Sequence, residues 1–189
     1  MSDELDRLRR LRPDHLQPDD PVEPTVFSRH KEELMATISG EANPAHEGLE
    51  MPSVYPRLAY DDQLAAIAYL ERVLRFHEIR EARNTFDGHV LAWLRCGDGV
   101  VMISAANTDI HQIASPRTRG GTTVMIVVHV YDVDAHYAHA VAHGAEVTTA
   151  LADAFYGERR YEVSDPEGHR WHIGERHEHI RARGGGVPE

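Results

Sequence analysis

From Met51 onward the chain alternates between the two spacings that apolar residues adopt in strands and in helices. Residues 54–60 (VYPRLAY) alternate with period two. After Asp61-Asp62, the residues Leu64, Ile67, Leu70 or Tyr69, Val73 and Leu74 recur at the spacing of one helix face. A strand followed by an amphipathic helix is predicted there. HEIREARNT, HVLAWLRC and VVMIS follow, punctuated by Asp87-Gly88 and Gly97-Asp98-Gly99, and read as three strands joined by tight turns. The linker NTDIHQIASPRTRGG has no apolar period, and beyond it the order repeats. TTVMIVVHVY reads as a strand, VDAHYAHAVAHG as a helix preceded by Asp132 and stopped at Gly144, and AEVTTAL, RRYEVS and HRWHIG as strands.

Laid over each other at an offset of 70, the halves align strand on strand, with Val54 on Val124, Asp62 on Asp132, Ala68 on Ala138 and Ile103 on Ile173. That period is too long for a solenoid and suits a duplicated α+β module, here 52–112 and 120–176. Alternation also predicts facing. Ile126, Val128 and Val130 should point to the helices, leaving Met125, Val127 and His129 on the other side, and Leu58 and Tyr60 should oppose Tyr55 and Arg57. In the closing DPEG, Pro166 presets the second position of a reverse turn, Asp165 caps it and Gly168 supplies a permissive backbone.

Residues 1–50 have another character. LRPDHLQPDDPVEPT holds four prolines and four acidic residues, and SRHKEELMATIS offers one short helix after Ser28. Its small apolar face (Leu34, Met35, Ile38) cannot fold alone, so residues 1–50 are read as an extension to a domain spanning 51–189.

Composition narrows the function. With 41% hydrophobic residues the 189-residue chain can bury a core of ordinary size. There is no apolar run of membrane-spanning length, and the charged start MSDELDRLRR lacks a signal-peptide core. The only cysteine, Cys96, cannot form an internal disulfide, and no zinc-binding spacing is present; a soluble cytoplasmic protein is expected. A net charge of −11 speaks against a nucleic-acid partner, which needs clustered positive charge.

The stretch VYPRLAYDDQLAAIAYLERVLRF resembles the first strand and helix of a module of the vicinal-oxygen-chelate superfamily, the group of glyoxalase, bleomycin-resistance and extradiol-dioxygenase proteins. TVMIVVHVYDVDAHYAHAVAHGAEV and the ending YGERRYEVSDPEGHRWHI resemble the second module more closely. The resemblance covers about residues 51–175 and implies an α+β fold of two tandem βαβββ modules, forming a curved sheet around a cavity. Metalloenzymes of that family place one ligand on the first and one on the last strand of each module. The matching positions here are Tyr55, Met102, Met125 and His172, self-consistent at the offset of 70. Two thioethers, a phenol and an imidazole are a poor set for a hard divalent ion, so no metal or other cofactor is expected.

The expected function is therefore metal-free binding of a small organic molecule, as in the bleomycin-resistance branch, and the resemblance to that branch implies a homodimer whose partners share ligand sites. The expected ligand-binding residues are Tyr55, Arg57, Trp93, Met102, Met125, His129, Arg160 and His172. The arginines would pair with an anionic group, the aromatics stack, and the methionines line a soft, largely apolar pocket. Trp171 is expected in the core. His169 and His172 face opposite sides of their strand, and His177 and His179 are expected in a solvent-exposed tail. No catalytic residue stands out. The competing readings are a metal-dependent lyase, isomerase or dioxygenase using His172 with histidines from elsewhere, and a regulatory module docking through the extension.

Overall fold

The structure, a computed structural model, describes residues 51–187 except Asp87 and Ile110. The extension predicted over residues 1–50 lies outside the described residues. Module one begins with β1 (Arg57–Tyr60) and α1 (Gln63–Leu74), continues through β2 (His77–Glu78) and β3 (Asn84–Phe86), and closes with β4 (His89–Cys96) and β5 (Gly99–Ala105). A connector carrying the short α2 (Pro116–Arg119) leads to β6 (Met125–His129), α3 (Val133–Ala142), β7 (Glu146–Ala154), β8 (Glu158–Ser164), β9 (Arg170–Arg176) and α4 (His177–Ala182). No helix among the described residues is long and apolar enough to cross a membrane.

The strands form two sheets, ordered β1-β5-β4-β2 with β3 also on β4, and β6-β9-β8-β7. In each, the first and last strands of the module pair in parallel, in the same register. Arg57 lies opposite Met102 and Val127 opposite His172, so both partners shift by 70 between modules. The helix starts repeat as well. Asp62 Oδ1 accepts from Ala65 N at 2.9 Å and Asp132 Oδ1 from Ala135 N at 3.0 Å, each satisfying a first-turn amide that has no partner within the helix.

Both sheets turn their helix-facing sides into one core. Leu58, Tyr60 and Ile103 of sheet one join Val128, Tyr161, Trp171 and Ile173 of sheet two, with α1 and α3 contributing Leu70, Val73, Val133 and Ala140. Trp171 is fully buried, as expected, and Phe76 meets it edge-on at 5.2 Å. Burying side chains of this size contributes about 1.5–3 kcal/mol each.

The DPEG turn has its expected shape, with Gly168 at φ +89° and its N–H donating to Asp165 O at 2.9 Å. It also joins the modules. Asp165 Oδ2 accepts from Tyr60 Oη at 2.6 Å and from Trp171 Nε1 at 3.1 Å, and the Glu167 carboxylate accepts from the Asp61 and Asp62 amides at the start of α1.

Three expectations are corrected. HEIREARNT is not one strand: it breaks into β2, a 3-10 turn at Arg80–Ala82 and β3, because its two apolar side chains, Ile79 and Ala82, lie three apart and both turn inward. Leu64 sits on the exposed side of α1, whereas Tyr69 and Leu70 are both in the core. The tail forms α4, which buries Ile180 and His177, the latter against Asp153 at 3.1 Å; His179 is exposed as expected.

Candidate functional site

Because Tyr161, Val163, Trp171 and Ile173 point into the core, the intervening residues of β8 and β9 must point away from it. This open face of sheet two carries Glu158, Arg160 and Glu162 from β8, His172 and Gly174 from β9, and Val127 and His129 from β6. Register sets them side by side: Val127, His172 and Glu162 form one row, and His129, Gly174 and Arg160 the next.

Glu158 folds back across this second row. Its Oε1 lies 3.1 Å from His129 Nε2 and its Oε2 lies 3.2 Å from His172 Nε2. Gly174 makes the arrangement possible, since a β-carbon there would overlap the Glu158 carboxylate. A glycine inside a strand commonly marks such a close approach. An ionised carboxylate only accepts, so with Glu158 ionised each Nε2 carries the proton in these bonds, and an imidazole held this way in its neutral form has its lone pair on Nδ1. Glu158 and His172 are buried, whereas the His129 side chain is 44% exposed.

A second charged group adjoins the first. Glu162 accepts from Arg160 Nη1 at 2.6 Å, Thr149 Oγ1 at 3.0 Å and Arg170 Nη2 at 3.3 Å. Burial pushes its carboxyl upward, but the Thr149 hydrogen bond and the two guanidiniums outweigh it and hold Glu162 below the usual range. His172 Nδ1 stands 3.9 Å from Glu162 Oε1, so this imidazole lies between two carboxylates. The Nε atoms of Arg160 and Arg170 are buried without a hydrogen-bond partner among the described residues.

Beyond Glu158 the face opens into a cavity of about 410 Å³. His129 and Glu158 form one wall, Tyr156 and Gly157 of the β7–β8 turn another, and Arg176 with His177, Glu178 and Arg181 of α4 the rest. The lining is polar and charged, and of the expected site residues it includes His129 but neither methionine.

The expected site residues divide between two faces. Met125, His129, Arg160 and His172 share the open face of sheet two; Met125 is 42% exposed there. Tyr55, Arg57, Trp93 and Met102 belong to the opposite side of sheet one. Trp93 is buried with Ile79, Ala82 and Val100, and the partly buried Tyr55 and Met102 pack on them, so these three belong to a small apolar cluster. Arg57 Nε donates to Ser104 Oγ at 2.9 Å. Since both sheets face a common core, Met102 and Met125 do not meet across one cavity within a chain, and the curved sheet is two sheets. The residues missed from the sequence are Glu158, Glu162 and Gly174. Two signals were available: β8 parity places both glutamates beside Arg160, and Gly174 interrupts an otherwise bulky strand.

This architecture and the chain's own sequence define the class. Residues 53–173 match the model of the Glyoxalase/Bleomycin resistance protein/Dioxygenase superfamily, and the protein belongs to that superfamily. Among its relatives is the uncharacterized protein Mb0911c of Mycobacterium bovis, 34% identical over 129 residues that cover 66% of this chain and 83% of that one. Among solved structures, TioX from Micromonospora sp. ML1 is 29% identical, with a TM-score of 0.53 and coverage of 73% of this chain and 99% of TioX. A glyoxalase/bleomycin resistance protein/dioxygenase family enzyme from Burkholderia phytofirmans PsJN shares the fold at 21% identity and a TM-score of 0.52, over 64% of this chain and 95% of its own.

Proposed function

We propose that the protein binds a small organic molecule on the open face of sheet two without a metal ion, and that it acts by sequestering a toxic compound such as an antibiotic. The observation that carries this reading is the donor set. The positions matching the family's metal ligands hold Tyr55, Met102, Met125 and His172, and a hard divalent ion wants oxygen or imidazole donors in greater number. Tyr55 and Met102 are packed into an apolar cluster, and His172 Nε2 is already engaged by Glu158. Among the described residues no group of three or more His, Cys, Asp or Glu side chains is arranged to hold an ion. The open face instead offers a polar, charged cavity and, on the same face, the exposed apolar side chains Met125 and Val127, so one surface carries both apolar area and charged handles for an organic ligand.

The working unit in this reading is a homodimer in the cytoplasm, without nucleic-acid or membrane partners. Sheet one of a second copy closes over Met125 and Val127, bringing Arg57 toward the ligand. Elemental analysis of the purified full chain, with a thermal-shift screen against bleomycin and a panel of aromatic antibiotics, tests the reading. We expect no stoichiometric metal, and stabilisation by at least one compound that Met125→Glu abolishes. One tightly held transition metal per chain, lost in His172→Ala, would replace this reading with a metal-dependent lyase, isomerase or dioxygenase.

A further inference from the structure

We infer that His129 is a general base whose Nδ1 takes a proton from a bound organic anion carrying an acidic C–H bond, with Glu158 and His172 positioning the ring. This goes beyond ligand binding, although it uses the same face of sheet two.

The argument starts from the lone pairs. Glu158 accepts from Nε2 of each imidazole, so in the neutral form of His129 the basic atom is Nδ1. His129 Nδ1 has no hydrogen-bond partner among the described residues, and the ring is half-exposed on a cavity wall. A carboxylate on the far nitrogen fixes tautomer and orientation and stabilises the imidazolium that forms, the arrangement that makes histidine an effective base. His172 is buried on the other oxygen of Glu158 and stops that carboxylate from turning. Gly174 completes the device by leaving Glu158 room to lie flat on the strand. Together they confine a buried carboxylate between two rings and expose only one of those rings to a ligand.

The cavity indicates the substrate class. Arg176 and Arg181 line it with His129; Arg181 has no ion-pair partner among the described residues, and Arg176 holds only Glu178, at 3.9 Å. A carboxylate or similar anion fits these guanidiniums. In the reaction the C–H bond breaks, its proton moves to His129 Nδ1, and its electron pair passes into an adjacent carbonyl to give an enolate. Return of that proton to the same carbon or a conjugated one restores the base, so the step needs no other reactant. The ionisable groups facing His129 are Glu158 and, around the cavity, Tyr156, Arg176, His177, Glu178 and Arg181.

The test uses 5-nitrobenzisoxazole as a proton-abstraction probe: the base takes the C3 proton, the C–H pair completes a nitrile, and the N–O bond breaks to leave a phenolate. The full-length protein should give saturable turnover exceeding equimolar free imidazole by about 100-fold or more, falling to the imidazole level in His129→Gln. Glu158→Gln and Gly174→Ala should lower kcat by about tenfold or more and displace the pH–rate profile, with KM unchanged and the fold intact by circular dichroism. Benzoate, as the anion probe, should compete, and its inhibition should weaken by about tenfold in Arg176→Gln/Arg181→Gln. Turnover no better than imidazole, or unaffected by His129→Gln, would overturn the base. A benzoate effect that ignores the arginines would overturn the substrate class. A protein stabilised by a ligand in the thermal screen but inert here fails this inference and leaves the binding reading standing.

Discussion

His136 on α3 meets Tyr161 Oη at 2.6 Å through Nδ1 and Leu74 O at 3.0 Å through Nε2. A carbonyl only accepts, so Nε2 carries the proton and Nδ1 accepts from the phenol. Burial pushes its pKa below the ordinary 6.5 and outweighs the opposing Leu74 hydrogen bond. The unfolded chain takes up this proton near 6.5 and the folded chain resists it. The group's contribution is therefore complete above that value and is lost as pH falls through it toward the lower folded pKa. We expect the melting temperature to drop between pH 7 and 5. His136→Gln should cost about 1–3 kcal/mol at pH 7 through its lost hydrogen bonds but flatten that slope, and an unchanged slope would assign the acid sensitivity elsewhere. Glu162 acts in a separate window: its lowered pKa gives stability that is present above about 4.5 and disappears only below it.

At the scale of one element, β6 tests how faithfully alternation reports facing. Val128 is buried at 6% exposure and Ile126 packs against the core, while Met125 and Val127 stand exposed. A glutamate at position 125 keeps its carboxylate in water; at 126 it must desolvate the charge or displace the core. We expect Met125→Glu to cost less than about 1 kcal/mol and Ile126→Glu about 2–4 kcal/mol by urea denaturation. Equal losses would mean that the strand's faces are reversed. The helix starts offer a smaller test, because Asp132→Ala removes the Ala135 cap and should cost about 1 kcal/mol.

At the scale of the molecule, the two modules share one core and are tied by Asp165. Its Oδ2 is the acceptor for Tyr60 Oη from module one and for Trp171 Nε1 from module two, both in the interior. Asp165→Ala takes the acceptor from four donors, these two side chains and the Glu167 and His169 amides that donate to Oδ1 at 3.0 Å, at about 1–3 kcal/mol for each that stays buried and unpaired. Because the damage lies between modules that cannot bury their helix-facing sides separately, we expect one calorimetric transition at a lower temperature. Two resolved transitions would show that the modules fold independently.

Much of this architecture is legible in the amino-acid order. The offset of 70 predicts the duplicated module, and the structure repeats it in the Asp62 and Asp132 caps and in both parallel registers. Period-two alternation assigns Met125, His129 and His172 to one side of their strands and Trp171 to the other. Periodicity reports a residue's side within its own element and is silent about which elements become neighbours. His129 and Glu158 are 29 residues apart, and Glu158 and His172 are 14 apart. Only pairing of β6 and β8 on either side of β9 brings the three together, and only then does Gly174 acquire its role as the place where the carboxylate rests. The separation of Tyr55, Arg57, Trp93 and Met102 from the sheet-two residues was equally hidden. It follows from both modules turning their apolar sides into one core, which places the remaining faces of the two sheets on opposite sides of it.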